Sequence, residues 1–507
     1  MARWMGRNAV FVASGALILA IVAWGALAPH YMTQALESAM DAMIQQAGWF
    51  YVVSTAVFLG FCIFLGAGPY RHMKLGRRDE QPEYAYFTWL GLLFAAGMGV
   101  GLVFWGVGEP LSHLHDPPPG DLEPGTQAAA EHGLLLGVFH WGVHPWSIYA
   151  IIALGLAFAK FRKGLPARVS SAYYRVIGGR IDDWPGKTID VVVIVATTAG
   201  IATSFGLSTL QVGSGLSQVF GLTTGDLLHL AIIVVVTVIF LASAVSGLNR
   251  GLRLLSIGNL GLAGVLLVAV IVLGPTVFIL EHAIKTLGEY LASLPTLSLL
   301  TTPYTDNAWM GDWTLFYWAW IISWSPFVGT FIARVSRGRS LQEFMLGVLV
   351  VPAGISVLWF AAFGGAGIHL ELERGADIAA TTAETPEAGL FLVLEQLPGG
   401  LALSVAALVL ISIFFITSAN SATYVLGVFS SGGDLDPPRR TLVVWGLLIA
   451  AIAAVLLLSG GLDGLQATAM LTALPFTALM LLIMVAVYRS LRREGIETYR
   501  VPEKDTW

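Results

Sequence analysis

Charged residues and cysteine are both scarce in this sequence. Only 12% of the 507 residues are charged, whereas 56% are hydrophobic and the mean hydropathy is +0.75. The single cysteine, Cys62, allows no intramolecular disulfide and says nothing about the redox compartment. No carboxylate pair, metal-binding cluster or nucleophile–base motif is recognisable, which disfavours an enzyme. The composition indicates a polytopic membrane protein.

Long apolar runs make up most of the chain. A helix that crosses the bilayer core needs about 20 apolar residues. Twelve segments meet that requirement, at roughly 8–28, 49–69, 84–108, 134–159, 189–214, 228–248, 254–280, 313–333, 341–368, 401–428, 441–459 and 465–488. We therefore predict an all-α protein with twelve transmembrane helices, the first being a true span and not a cleaved signal peptide.

The basic residues lie between alternate apolar segments. With both termini inside, all of the 27 basic residues except Lys285 and Arg374 fall on the inner side. The positive-inside rule therefore fixes the orientation and tests the segment count, because one missed helix would scramble the alternation. We predict a multi-pass protein of the plasma (bacterial inner) membrane, in contact with lipid, with both termini cytoplasmic and no nucleic-acid partner.

Segment eight carries aromatic residues where membrane helices rarely do, because aromatics normally lie at the water interface. Trp318, Trp320 and Trp324 lie toward the middle of the long apolar run that contains residues 316–327. Trp320, Trp324 and Phe327 are spaced i, i+4 and i+7, so these three rings share one helix face. Pro326 lacks an N–H and clashes with the carbonyl four residues back, so the helix should kink or open there. We expect this aromatic wall to hold a soft cation.

Segment three ends in the alternating glycines Gly97, Gly99 and Gly101. Each glycine costs about 1 kcal/mol relative to alanine in a helix, so this helix can unwind at mid-membrane and line a cavity. Close packing of two helices through Gly97 and Gly101 is an equally open alternative. A phosphate-binding loop is improbable, because no Lys-Ser or Lys-Thr pair follows.

Segment four supplies candidates for an opposite aromatic wall, namely Trp141, Trp146 and Tyr149. The alternative for these rings is an interfacial belt at the start of the helix. His140 and His144 have the i, i+4 spacing of a metal pair, but no acidic or cysteine partner accompanies them in the sequence. We expect interfacial or packing roles for both histidines rather than a metal site.

Hydroxyl side chains are concentrated in segments five and ten. Residues 196–204 of segment five can bond neighbouring helices or line a path. In segment ten, the hydroxyls at 417 and 418 are hard-oxygen ligands suited to Na⁺, although helix–helix hydrogen bonds also explain them. Between segments seven and eight, residues 282–297 alternate polar and apolar faces, which predicts an amphipathic helix along the membrane surface.

The two interrupted segments, three and eight, lie five helices apart. Because five is odd, two five-helix repeats that begin there have opposite orientations, and such inverted repeats point to a central transport site. The predicted organisation is two peripheral helices over 1–83, a first repeat over 84–281, an amphipathic outer helix over 282–300, a second repeat over 301–488 and a short cytoplasmic tail over 489–507.

Three motifs give the sequence a resemblance to the betaine/choline/carnitine transporter family along essentially the whole chain. They are Gly97-Met-Gly-Val-Gly101 with Glu109-Pro110, the His-Trp-x-x-His-x-Trp-x-x-Tyr run over 140–149, and Trp-Ala-Trp-Ile-Ile-Ser-Trp-Ser-Pro-Phe over 318–327. The resemblance implies a leucine-transporter-type fold, a homotrimer with the outer helix at its interfaces, and an aromatic box for a trimethylammonium group. Its residues correspond to Trp141, Trp146, Tyr149, Trp320 and Trp324.

Physical chemistry agrees with an onium ligand. A quaternary ammonium or sulfonium donates no hydrogen bond, and a desolvated aromatic face contributes about 2 kcal/mol or more to binding it. No acidic side chain lies in the middle of any predicted span, so π faces must meet the cation. The N–H groups near the glycines would receive the carboxylate of the substrate. The full predicted substrate set is Trp141, Trp146, Tyr149, Trp320, Trp324, Ile321, Met98, Gly99, Gly101 and Phe327.

The resemblance also implies a coupling ion in place of an organic cofactor. The positions that match the family's sodium site are Ala95, Met98, Phe414, Thr417 and Ser418. Sodium-independent exchangers of the family carry an arginine in segment seven, where this chain has Leu260. A second family sodium site needs two threonines and the Phe327 position; Thr197 fits it but Ile201 does not.

Two departures from the family pattern affect the expected substrate and regulation. Ile321 replaces the second tryptophan of a Trp-Trp pair found in many relatives, so we expect a roomier pocket or a different head group. The tail after residue 488 is short, so strong osmotic activation through it is not expected. The sequence predicts Na⁺-coupled symport of a betaine-type solute, with glycine betaine, choline, carnitine and dimethylsulfoniopropionate left open. Sodium-independent exchange and a non-transporting solute receptor are the alternatives.

Overall fold

The structure, a computed structural model, describes residues 8–97, 99–246, 249–305 and 307–499. Within the helices, the side chains of 94–97, 249–253 and 495–499 lie outside this description. The regular structure of the described residues is helical, apart from one isolated antiparallel bridge between Lys74 and Ser340. The prediction of an all-α protein is confirmed.

Fourteen longer helices organise the described chain, and several shorter helical turns connect them. In chain order they are α1 (Ala9–Leu27), α2 (Pro29–Ala67), α3 (Tyr86–Gly97), α4 (Val100–His115), α5 (Gln127–Trp141), α6 (Val143–Ala157), α7 (Trp184–Phe220), α8 (Asp226–Ser246), α9 (Asn249–Leu273), α10 (Thr276–Ser298), α11 (Phe316–Val335), α12 (Val351–Arg374), α13 (Gly400–Ser430) and α14 (Arg439–Tyr499).

Ten helical stretches of the described chain are long and apolar enough to cross a membrane, so the protein is polytopic. Two features account for the difference between this number and the predicted twelve. The helix over segment three is divided into α3 and α4, and neither half reaches the length of a span. The 61 residues of α14 include Gly461, whose φ of 57° and ψ of −139° are not helical, so α14 joins two helices across a kink.

The helices are divided between a buried centre and an apolar periphery. The stretch formed by α5 and α6 and the stretch around α11 are mostly buried, whereas only a small share of the described residues of α1 and α9 is buried. An exposed apolar helix satisfies its backbone internally and is suited to a lipid environment. At the centre, α11 packs against α6, α7 and α14, and α4 packs against α5 and α12.

The predicted opening of the helix at Pro326 is not present, because α11 runs unbroken from Phe316 to Val335. Pro326 cannot donate to the carbonyl of Ile322, four residues earlier. The hydroxyl of Ser325 donates to that carbonyl instead, at 2.7 Å. A serine side chain can thus satisfy the backbone group that a proline frees inside a membrane helix. The irregular turn lies earlier, where a π-helical turn, Gly311–Leu315, leads into α11.

Candidate functional site

The predicted interruption of segment three is present. One helix ends at Gly97, and α4 begins at Val100 with Gly99 in extended conformation at its N-cap. No described side chain caps that end, so the first N–H groups of α4 are available to an acceptor, and the helix dipole makes this end positive. Met98, which was predicted to belong to the site, lies outside the described residues.

A cavity adjoins this helix start and contains about 580 Å³ of space not filled by protein atoms, including its open part. Four helices contribute most of its wall. The lining residues are Gly99, Val100, Gly101, Trp141, Tyr149, Ile201, Ser204, Phe205, Ser208, Trp320, Ile321, Trp324, Phe415, Ser418, Ala419 and Ala422. None of these residues carries a charge, and six of them are aromatic. The described surroundings therefore offer a ligand π faces, a few hydroxyls and a helix N-terminus.

The glycines at the start of α4 allow the indole rings to approach the backbone. A Cβ at Gly101 would lie 2.5 Å from Cη2 of Trp320 and 2.6 Å from Cη2 of Trp141. At Gly99 it would lie 3.3 Å from Cη2 of Trp324. Carbon atoms in contact are normally about 3.5–4.0 Å apart, so only glycine fits at position 101 without movement of the rings. The glycine stretch thus packs against the aromatic wall.

Trp320 is held on three sides. Its ring stacks on Phe316 with centroids 5.5 Å apart and an interplanar angle of 5°, and it meets Trp141 edge-on at 5.9 Å. Its N–H donates to the hydroxyl of Ser204 at 3.1 Å and to the carbonyl of Gly200 at 3.3 Å. With its N–H engaged on α7, this ring is fixed as a wall of the cavity before any ligand enters.

Most of the predicted substrate residues meet at this cavity. Trp141, Tyr149, Trp320, Trp324 and Ile321 line it together with the glycines at 99 and 101.

Two predicted residues lie behind the lining instead. Trp146 packs edge-on against Tyr149 with ring centroids 5.7 Å apart, and Phe327 packs edge-on against Trp324 at 5.2 Å. Neither belongs to the lining set. In this structure both residues hold the orientation of a lining ring, and neither forms a wall of the cavity.

Sequence reasoning missed the contribution of α7 and of the middle of α13. Ile201, Ser204, Phe205 and Ser208 of α7 recur at one helix face and all line the cavity. Phe205 meets Phe415 of α13 edge-on with ring centroids 4.4 Å apart. The i, i+3, i+4 and i+7 spacing of these α7 residues was a usable signal. It was obscured because the hydroxyls of residues 196–204 were interpreted as bonds to neighbouring helices or as the lining of a path.

The predicted sodium ligands are described only in part. Met98 lies outside the described residues, and the side chain of Ala95 is among those not described. On α13, the hydroxyl of Thr417 donates to the carbonyls of Ile413 and Phe414, at 2.8 and 3.3 Å. Ser418, the next residue, lines the cavity. Of the predicted sodium ligands on α13, only Ser418 lines the cavity, and the hydroxyl of Thr417 is bonded to carbonyls of its own helix.

The sequence predicted no acidic partner for His140, and this prediction is wrong. Glu109 of α4 is fully buried and its carboxylate lies 2.5 Å from Nδ1 of His140. The hydroxyl of Tyr317 donates to the same carboxylate at 2.8 Å. Glu109 is at the end of the predicted third segment, 31 residues before His140, and only the pairing of α4 with α5 brings the two together. His144 instead contacts the hydroxyl of Ser298 at 2.9 Å.

The model of the betaine/carnitine/choline family of transporters matches residues 9–496. The chain belongs to the betaine/carnitine/choline transporter family. It is 42% identical over 501 residues to the glycine betaine transporter OpuD of Bacillus subtilis, with 98% of this chain and 97% of that protein covered.

The names of two further relatives mention other solutes. The chain is 43% identical over 487 residues to the ectoine/hydroxyectoine transporter of Virgibacillus pantothenticus, with 96% of this chain and 97% of the relative covered. It is 39% identical over 518 residues to a glycine betaine/proline/choline transporter of Vibrio parahaemolyticus, with 98% of this chain and 92% of the relative covered. The predicted family is thereby confirmed, and so is the prediction that the chain is a transporter and not an enzyme.

Proposed function

We propose that this transporter imports a betaine-type onium solute together with Na⁺, by alternating access around the aromatic cavity. The observation that supports the proposal most strongly is the lining itself. Trp141, Tyr149, Trp320 and Trp324 surround a space in which no described lining residue carries a charge. A cation that enters this space must be met by π faces.

The trimethylammonium group suits these faces for a physical reason. Its positive charge is spread over methyl groups that donate no hydrogen bonds, so an isolated carboxylate would attract it without orienting it. Aromatic faces orient it by shape and by their quadrupoles, and each desolvated contact contributes about 2 kcal/mol or more. Trp320 is already fixed by its bonds to α7, so little entropy is lost when the ligand binds.

The other end of the substrate requires donors, and the cavity has them. Gly99 and Gly101 lie at the positive end of α4, where the first-turn N–H groups lack a side-chain cap. The indole N–H of Trp324 has no partner among the described residues. We propose that these donors receive the carboxylate of a zwitterionic solute, so we expect betaines to bind more tightly than simple alkylammonium ions.

Glycine betaine is the substrate we propose first. Two of the relatives described above have names that include it, and its two charged groups match the two ends of the cavity. Ile321 lines the cavity with an aliphatic side chain where many relatives present a second indole. The added room makes choline, carnitine, dimethylsulfoniopropionate and ectoine the competing substrates to test. Ectoine enters the panel because a relative's name includes it.

The proposed coupling ion is Na⁺. It would be bound between the interrupted helix and α13 by oxygens of Ala95, Met98, Phe414, Thr417 and Ser418. Hard oxygen ligands of this kind suit a small cation. Position 260, where the sodium-independent exchangers of the family carry an arginine, is a leucine, so no arginine at that position can replace the ion. Symport is therefore favoured over sodium-independent exchange.

Ion pairs join the loop before α3 to the end of α11 and to the residues just after it. The loop before α3 is joined to the end of α11 by Arg334, whose Nη1 lies 2.6 Å from Oε2 of Glu83. A second pair joins Arg337 to Glu80. We propose that α3, α4 and α11 rock as one unit within two inverted five-helix repeats and twelve crossings in total. The proposal includes cytoplasmic termini, a location in the bacterial inner membrane and a homotrimer with α10 at its interfaces.

The test is uptake by purified protein in liposomes, with each solute of the panel supplied with and without an inward Na⁺ gradient. The proposal predicts saturable uptake of glycine betaine that depends on Na⁺. Exchange that persists without Na⁺ would assign the protein to the antiport alternative. Binding without any uptake would assign it to the receptor alternative, and silence toward every onium solute would refute the proposed substrate class.

A further inference from the structure

A cluster of buried titratable side chains lies beside the aromatic cavity and has no part in the transport step proposed above. Its centre is the carboxylate of Glu109, which accepts from the hydroxyl of Tyr317 at 2.8 Å and contacts Nδ1 of His140 at 2.5 Å. Nε2 of His113 lies 3.6 Å from the same carboxylate, and Nε2 of His140 lies 2.9 Å from Oγ1 of Thr314. The five side chains are at most 1% exposed.

The charge of this cluster is not balanced by a fixed cation. Among the described residues, the ion-pair partners of Glu109 are the two histidines, which carry charge only when protonated. A lone carboxylate in the interior of a membrane protein is costly, so it pairs with a cation or takes up a proton. The cluster is therefore neutral only when it holds a proton, either on an imidazole or on the carboxylate.

The hydrogen bonds tolerate a change in proton number. The hydroxyl of Thr314 can donate to a neutral His140 or accept from a protonated one, because a hydroxyl is both donor and acceptor. Both ring nitrogens of His113 are buried without a hydrogen-bond partner among the described residues. The cluster can thus gain or lose a proton without placing two hydrogen-bond donors in contact with each other.

Other titratable groups surround the carboxylate of Glu109. The groups that face Glu109 are His113 on its own helix, His140 on α5 and Tyr317 on α11. In the next layer, Asp116 acts electrostatically on His113, His113 acts on His132, and His140 acts on His144. Asp116 is exposed at the end of α4, about one turn beyond His113. Along α4, His113 therefore lies between the buried carboxylate of Glu109 and the exposed end of the helix.

The cluster also touches the cavity wall. Tyr317 stacks on His140 with ring centroids 4.8 Å apart and meets Trp141 edge-on at 5.7 Å. Trp141 follows His140 in the chain and lines the cavity. Only two ring contacts therefore separate the titratable centre from the place where a cation would bind.

We propose that Glu109, with His113 and His140, forms a proton-binding site that is energetically linked to ligand binding in the aromatic cavity. The inference rests on the proposed function only for the identity of the ligand. A cation in the cavity repels a proton in the cluster, so binding expels a proton toward the solvent. By reciprocity, protons weaken binding, so affinity falls as the pH is lowered.

The experiment counts protons. Purified protein in weakly buffered detergent solution with a pH indicator receives saturating glycine betaine at fixed Na⁺, between about pH 5 and 9, where an imidazole–carboxylate pair can titrate. We expect release of up to about one proton per ligand bound by the wild type and none by E109Q, whose affinity should be independent of pH. The exposed Glu123, changed by E123Q, provides the matched control and should release protons as the wild type does.

Other outcomes separate this inference from the proposed function. If E109Q does not fold, H113N tests the same site by removing a titratable member of the cluster, and it should reduce or abolish the proton release. Unchanged release from both variants, or binding to the wild type without proton release at any pH, would overturn the inference. If the wild type binds no onium solute, the proposed function fails. The acid–base titration of the substrate-free protein then tests the proton-binding site alone. About one titrating proton fewer in E109Q than in the wild type supports the site, and identical titration curves for the two proteins refute it.

Discussion

A methyl group at position 101 should weaken substrate binding, because it would occupy the space into which two box rings project. In Gly101→Ala, the new Cβ would lie 2.5 Å from Trp320 and 2.6 Å from Trp141. Contact distances between carbon atoms are about 3.5–4.0 Å, so each ring must move outward by about 1 Å. Trp320 cannot do so freely, since it is stacked on Phe316 and bonded to α7.

The expected size of the effect follows from overpacking. Inserting a methyl group into a packed site costs about 1–3 kcal/mol. If the free energy of ligand binding becomes less favourable by this amount, the Kd for glycine betaine rises about 5- to 140-fold. Gly99→Ala, with its Cβ 3.3 Å from Trp324, needs a shift of only a few tenths of an ångström and should weaken binding less.

Gly91→Ala is the matched control, because a Cβ at Gly91 meets nothing within 4 Å. It lies on α3, in the same interrupted helix, and should bind as the wild type does. Affinity is measured by calorimetry on purified protein, and folding is checked by size exclusion and thermal unfolding. We expect the loss of affinity to increase in the order Gly91→Ala, Gly99→Ala, Gly101→Ala. Normal affinity in folded Gly101→Ala would refute the placement of the rings.

Three further perturbations test separate parts of the account. Trp320→Ala should lose about 2 kcal/mol of binding free energy, a rise of roughly 30-fold in Kd, whereas Trp320→Phe should retain part of the affinity; equal affinities in the two would contradict a π contact. Thr417→Val should raise the Na⁺ concentration needed for half-maximal uptake, while Thr423→Val, on the same helix, should not; equal Na⁺ curves would exclude Thr417 as a ligand. Burial raises the pKa of Glu387, so its ionisation destabilises the fold as the pH rises through that pKa. Glu387→Gln should therefore melt at a higher temperature than wild type near pH 8 and equally below about pH 4, and a pH-independent difference would contradict this.

Much of the site could be predicted from local patterns. Trp320 and Trp324 are one helical turn apart in an apolar run, and that spacing alone places both rings on one face. The interruption after Gly97 also follows from local chemistry, since alternating glycines weaken a helix. Pro326 shows the limit of such reasoning: its effect depended on Ser325, whose hydroxyl replaces the missing donor and keeps α11 continuous.

What could not be predicted depends on which helices meet. Trp146 was assigned to the box from its helical spacing in segment four and from the family resemblance, but its ring packs edge-on against Tyr149 and does not line the cavity. The contact between Glu109 and His140 joins two helices that no sequence spacing relates. Helix–helix pairing in a membrane follows from small residues and close packing, and these signals are weak in a single sequence.

The most direct test of the central claim compares glycine betaine with its carbon isostere, tert-butylacetate, in which a quaternary carbon replaces the nitrogen. The two ligands share shape and carboxylate, so they differ chiefly in the positive charge that the rings of the cavity would meet. Calorimetric titration of the purified wild type should give a Kd about 30-fold lower for glycine betaine, which corresponds to one good cation–π contact of about 2 kcal/mol. Equal affinity for the two ligands would contradict an aromatic box that recognises a cation.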